Sequence, residues 1–291
     1  MFTGSMTALV TPMKSGGGID DQALATLVER QISGGIDVLI PCGTTGESST
    51  LSATEQAHVV RLVVEAARGR VPVVAGAGSN STAAAVALGK AARDAGAAGL
   101  LTVTPYYNKP TQAGLVAHFL AIADEVGLPI VLYNVPGRTG IDLLPDAIVE
   151  LSRHPLIVGL KEATGSVPRS QQILARLGDR LPILSGDDFL NLPLYAVGAR
   201  GCISVVSNVA PALVAQGYRA FVEGKIEAAR RLHYQAVELA EALFCEPNPI
   251  PAKCALHLLG IMEPEVRLPL QLAQPSTVAR VGAVLQTLGL S

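Results

Sequence analysis

No stretch of the sequence approaches the roughly 20 consecutive apolar residues that a transmembrane helix requires, so no membrane role is expected. Charge is scarce as well. Asp, Glu, Lys and Arg make up 16% of the 291 residues and nearly cancel, at a net charge of -2. No basic patch emerges that would recognise nucleic acid or an anionic membrane. Only four cysteines occur, Cys42, Cys202, Cys245 and Cys254, at no metal-binding spacing and too few to staple a chain of this size. They read as free thiols in a reducing cytoplasm. The five histidines are scattered, with no pair on one helical face, so no protein metal site is expected. Residues 1–12 carry neither a basic n-region nor a cleavage signature, and are read as a first strand.

What the chain has is apolar content, at 49%, arranged in alternation. Eight short β-rich runs recur: Ser5–Thr11, Ile36–Cys42, Val71–Gly76, Gly99–Thr104, Pro129–Asn134, Leu156–Lys161, Pro182–Ser185 and Gly201–Val205. Helical periodicity fills the intervals, as in Leu24, Leu27, Val28 and Ile32, and then Val59, Val60, Val63 and Val64. Ser52 and Glu55 form a capping-box pattern, and Gly34, Gly69, Gly96, Gly127, Gly178 and Gly198 fall at expected helix ends. Eight β-α units predict a closed (β/α)8 TIM barrel, which typically takes about 250 residues. No glycine-rich dinucleotide fingerprint follows the first strand, which argues against an open Rossmann sheet. The eighth unit ends near Gly224. Beyond it, Lys225–Phe244, Ile250–Leu259 and Pro275–Leu288 read as helices around a proline-rich joint at Glu246–Pro251. The expected organisation is a catalytic barrel over 1–224 and a small helical C-terminal extension over 225–291.

In such a barrel, reactive groups sit where strands end. The sixth apolar run ends in Lys161, and the fifth ends in Tyr133-Asn134. A desolvated lysine can lose its proton and attack a carbonyl as a free amine. A phenol beside it could move protons, given a relay. Taken alone, Lys161 reads more readily as a strand-end amine snorkelling into water, and the rest of the chain has to overturn that reading. Side chains alternate along a strand, so an inward Lys161 implies an outward Glu162 that is no ion-pair partner for it. Gly159, two positions earlier, is expected to leave space beneath the amine. Other strand ends carry Gly43-Thr44-Thr45-Gly46-Glu47, Thr104-Pro105-Tyr106-Tyr107-Asn108, Ser185-Gly186-Asp187-Asp188 and Ile203-Ser204.

The strings GTTGE and KEAT resemble those of the pyruvate-dependent Schiff-base lyases; TPYYN and YNVPGRTG narrow the resemblance to the dihydrodipicolinate synthase family. It runs from the opening strand through Asn248-Pro249-Ile250-Pro251 to Arg267-Leu268-Pro269-Leu270. The resemblance implies that Lys161 forms an imine with pyruvate, whose enamine attacks L-aspartate 4-semialdehyde, with no metal or organic cofactor. It implies that Tyr133 shuttles protons, that Thr44 links it to Tyr107 reaching in from a neighbouring subunit, and that the assembly is a homotetramer. Thr45 would hold the pyruvate carboxylate, Ile203 and Gly186 would line the same pocket, and Arg138 would fix the second substrate's carboxylate.

Simpler readings stand beside these roles. Thr44 and Thr45 could cap a loop, Tyr106 and Tyr107 could pack an interface, and Arg138 could be a solvated charge. Asp187 and Asp188 are read as helix N-caps, Cys42 as a buried inert thiol, and the histidines as structural or surface residues. The family's L-lysine feedback site maps onto Ser48, Ser49, Ala53, Gln56, Asn80, Ala84 and Tyr106. Here Ala84 replaces a carboxylate, so weak or absent inhibition is expected. The competing functions are another pyruvate lyase, acting on sialic acid or 2-keto-3-deoxygluconate, and a pyruvate-binding pseudoenzyme.

Overall fold

A computed structural model describes residues 2–290; Met1 and Ser291, the outermost residues of the expected first strand and C-terminal extension, lie outside the described residues. The strands are β1 Gly4–Ala8, β2 Val38–Ile40, β3 Val74–Gly76, β4 Gly99–Val103, β5 Ile130–Asn134, β6 Ile157–Glu162, β7 Ile183–Ser185 and β8 Gly201–Ser204. Except for β2 and β3, each pairs in parallel with the next in sequence around the sheet, and β1 pairs with β8. A parallel bridge between Leu39 and Val73 joins β2 to β3 and completes the cylinder. The expected (β/α)8 TIM barrel is therefore what the chain forms.

Helices α1 Asp21–Ser33, α2 Ala53–Ala67, α3 Thr82–Asp94 and α4 Gln112–Val126 follow the first four strands. Next come α5 Pro136–Thr139, α6 Pro145–Leu151, α7 Val167–Leu177, α8 Asn191–Ala196, α9 Val206–Val209 and α10 Pro211–Val222. Local chemistry starts them. Asp20, Ser52, Ser81, Thr111 and Ser166 each accept an N–H of the first turn of the helix they precede, satisfying donors that have no partner inside it. The capping box of Ser52 and Glu55 is complete. Helices α11 Ile226–Leu243, α12 Ile250–Leu258 and α13 Pro275–Thr287 complete the chain, close to the bounds expected of the C-terminal helices.

Two apolar layers result. Met6, Val38, Ile40, Leu101, Val131, Leu184 and Ile203 fill the barrel interior, while the larger core lies between strands and helices. Burying both faces explains why the strands read as continuous apolar runs. The first strand differs from expectation. It stops at Ala8, and beyond it the Thr11 hydroxyl donates to the Gly46 carbonyl at 2.7 Å. The β1–β8 seam also requires glycine. At Gly201, with φ of 144°, an added Cβ would lie 2.0 Å from the Gly4 carbonyl oxygen.

Candidate active site

Register places the reactive pair. Tyr133 on β5 stands opposite Lys161 on β6, and Asn134 opposite Glu162. A shift between Ile130 and Val131 brings Gly159, rather than Val158, opposite Val131. Tyr133 and Lys161 then share the inner face, both buried, with Lys161 Nζ 4.2 Å from the centre of the Tyr133 ring. A Cβ on Gly159 would meet the Pro182 carbonyl and Val131 at ordinary contact distance, 3.6 Å, so the position has room for a methyl group. Gly186 is more tightly constrained. A Cβ there would lie 2.7 Å from Ala163 Cβ and 3.1 Å from Lys161 Cε, so glycine makes room for the lysine stem.

Glu162 faces outward, as alternation requires. It accepts the Thr164 N–H at 2.9 Å and lies 4.0 Å from Arg169, which is itself forked onto Asp142. Burial raises the Glu162 pKa, against hydrogen bonds that pull it down. Its charge is thus held on the far side of the strand from Lys161.

Above the barrel, Thr44, Ser48, Ser49, Gln56, Tyr106, Arg138 and Thr139 line an open cleft. Val103 and Val135 belong both to this cleft and to the apolar interior that holds Tyr133. The cleft thus adjoins the barrel interior at these two valines, while Lys161 and Tyr133 themselves do not line it. Ile203 sits buried on the inner face of β8. Arg138, on α5, is exposed toward the cleft. Tyr107 stands apart. It is 89% exposed, with φ of 75°, and its N–H donates to the Thr139 carbonyl at 3.3 Å. Among the described residues no hydrogen bond joins Thr44 to Tyr133 or to Tyr107, so one chain does not assemble the expected relay by itself.

Thr45 is buried, and its hydroxyl oxygen accepts from Asn248 Nδ2 at 2.9 Å. In the same turn, Gly46 and Ser48 donate to the Gly43 carbonyl and Glu47 to that of Thr44. Glu47 adopts a left-handed backbone, φ 56°, and its buried carboxylate pairs with the fully buried ammonium of Lys253 on α12. The Arg267 N–H donates to the same carboxylate at 3.1 Å. The Arg267 guanidinium reaches Gly17, Thr50 and Glu55, and holds the Glu55 carboxyl down at about 2, helped by the Ser52 N–H.

The whole arrangement, an amine and a phenol on neighbouring barrel strands beneath a threonine-rich turn, can be set beside known proteins. The profile of the dihydrodipicolinate synthetase family matches residues 1–288. The chain belongs to that family. A 4-hydroxy-tetrahydrodipicolinate synthase of Geobacter sulfurreducens is 51% identical over 286 residues, covering 98% of each chain. The dihydrodipicolinate synthase of Acinetobacter baumannii, described as chloride-inhibited and solved with pyruvate, superposes with a TM-score of 0.98 at 43% identity over the whole of both chains. The enzyme of Cyanidioschyzon merolae, solved with lysine bound, gives 0.96 at 41% identity over 100% of this chain and 99% of that one.

Within this dihydrodipicolinate synthetase fold, several sequence readings are refined. Asp187 caps the short turn that follows it, accepting the Phe189 N–H at 3.0 Å. Asp188 instead caps α9, accepting from Val205 and Val206 at 2.8 and 3.1 Å, a long-range cap that local spacing does not reveal. Burial pushes the Cys42 thiol up to about 12, so it is inert near neutral pH. Of the feedback-site positions, Ser48, Ser49, Gln56 and Tyr106 line the cleft. Asn80 accepts from Asn108 through its carbonyl, and Ala84 is exposed in the first turn of α3. The Gln56 amide is already committed to the Ser48 and Leu51 carbonyls. Sequence reasoning missed Asn248, Lys253, Glu47 and Arg267 as parts of the site's support. One signal was available: Lys253 is a lone cation in a helix whose residues from Ile250 to Leu256 are all buried.

Proposed function

We propose that this chain is a 4-hydroxy-tetrahydrodipicolinate synthase that joins pyruvate to L-aspartate 4-semialdehyde through an imine on Lys161. The observation that carries the reading is a buried lysine, packed on a tyrosine ring at 4.2 Å, whose neighbouring carboxylate points away. Lys161 attacks C2 of pyruvate, and loss of water from the carbinolamine gives the imine. The cationic imine is an electron sink, so a methyl proton is lost and an enamine forms. The enamine carbon then attacks the aldehyde carbon of the second substrate. That substrate's amine adds to C2, displaces the Lys161 nitrogen and closes the ring. Because the imine supplies the electron sink, the route calls on no metal or organic cofactor.

The remaining groups take roles that their chemistry suits. Tyr133 moves protons during imine formation and cyclisation, with Thr44 joining it to Tyr107 from a second copy of the chain. The exposure of Tyr107 in this protomer supports that arrangement. Thr45 binds the pyruvate carboxylate, Gly186 and Ile203 shape the pocket, and Arg138 forks onto the second carboxylate. A dimer is then the smallest complete unit, and we place it within a homotetramer, in the cytoplasm. We divide the chain into a catalytic barrel over 1–224 and a helical domain over 225–291. Coupled assays with pyruvate plus L-aspartate 4-semialdehyde, and separately with sialic acid and 2-keto-3-deoxygluconate, test the proposal. Turnover confined to the first pair is expected; cleavage of either sugar acid as the faster reaction, or no turnover above a Lys161→Ala control, would overturn it.

A further inference from the structure

We infer that Asn248, from the segment preceding α12, is a positioning residue that sets Thr45 as a hydrogen-bond donor toward the pyruvate carboxylate; this rests on the role proposed for Thr45. The geometry is specific. Asn248 Nδ2 lies 2.9 Å from Thr45 Oγ1, both residues are buried, and 203 positions separate them in sequence. An amide nitrogen only donates, so Thr45 Oγ1 must accept in this contact. The hydroxyl proton is then left to point elsewhere. A hydroxyl that already accepts one hydrogen bond is also a stronger donor in the next.

The turn carrying Thr45 has little freedom to escape this restraint. The Thr11 hydroxyl holds the Gly46 carbonyl on one side. Lys253 and the Arg267 N–H hold the Glu47 carboxylate on the other. Those contacts fix the backbone, whereas among the described residues Asn248 makes the one hydrogen bond to the Thr45 hydroxyl. Among the described residues, the N–H groups of Thr44 and Thr45 donate to no protein acceptor, unlike those of Gly46, Glu47 and Ser48. An oriented hydroxyl beside free backbone donors is a site for a small carboxylate. The C-terminal segment therefore completes the pyruvate subsite without facing the substrate's reacting carbon.

The test measures the pyruvate concentration that gives half-maximal borohydride trapping on Lys161, alongside KM for the aldehyde substrate and the melting temperature. Asn248→Ala is expected to raise the pyruvate value about fivefold to tenfold, the worth of one hydrogen bond, and to leave the aldehyde KM within about twofold. Asn248→Asp keeps the shape but turns the contact around, since an ionised carboxylate only accepts; a larger rise is expected. In a Thr45→Val background, Asn248→Ala should add nothing further. An unchanged pyruvate value in both Asn248 variants, or an equal rise in the valine background, would overturn the inference. Trapping absent from the unsubstituted protein would overturn the imine itself and this inference with it, a failure distinct from an adduct that forms at unchanged pyruvate demand.

Discussion

Gly186 shows how much of a reactive centre is decided by an atom that is missing. Its absent Cβ leaves the space that the Lys161 stem occupies, with Ala163 and the Glu162 carbonyl on the other sides. Gly186→Ala should therefore displace Lys161. Overpacking of this kind costs about 1–3 kcal/mol of stability, and an ångström of misplacement costs up to about a hundredfold in rate. Rate and melting temperature measured together would check this, a fully active alanine variant contradicting it. His118 is a second informative residue. It is buried against Thr82, at 2.9 Å, and burial lowers its pKa from 6.5 to about 4. Between those values the unfolded chain binds the extra proton, so stability falls as pH drops through that window and is intact above it. Over the window the loss amounts to roughly 2–3 kcal/mol, and His118→Gln should remove it. Urea midpoints at pH 7 and pH 4.5 would show the difference.

At the scale of elements, the strands were legible because each is buried on two faces and reads as a short aliphatic run bounded by turn residues. Lys161 and Tyr133 were legible because they end such runs, and KEAT and YNVPGRTG mark them. The support of the GTTGE turn was not. Asn248 and Thr45 lie far apart in sequence, and Lys253 reaches Glu47 only because α12 packs against the turn that follows β2. Asp188 escaped for the same reason, its acceptor oxygen serving backbone donors on the next strand-to-helix turn. The Glu47–Lys253 pair carries a stability consequence. Burial lowers the Lys253 pKa while Glu47 opposes the shift, so the ammonium depends on its partner. Lys253→Met leaves the buried Glu47 carboxylate without its counter-ion, held only by the Arg267 N–H, and should cost about 3–5 kcal/mol. Adding Glu47→Gln, which keeps an acceptor for the Arg267 N–H, should recover at least half of it, as read from urea midpoints.

For the whole molecule, the closed barrel brings strand ends from distant parts of the chain to one rim, and the C-terminal helices hold that rim in place. In the proposed assembly the site extends beyond a single copy, and Tyr107, presented to solvent from a left-handed backbone, is the residue that would reach a neighbour. The positions onto which the resemblance maps a feedback site carry a prediction about regulation. Ala84 offers no carboxylate to an ammonium ligand, and the Gln56 amide is occupied by backbone carbonyls. A lysine ammonium there would lose hydration without an ionic partner. Steady-state rates should accordingly stay level as L-lysine is raised to millimolar concentration, and strong inhibition would show that it is bound by other groups.

The imine on Lys161 is a covalent bond that borohydride makes permanent. The protein is incubated with pyruvate, reduced with borohydride, digested and mapped by mass spectrometry. A reduced pyruvyl adduct is expected on the peptide containing Lys161, absent without pyruvate and absent from Lys161→Ala. An unmodified Lys161 peptide from protein that still turns over pyruvate, or an adduct on another lysine, would contradict it.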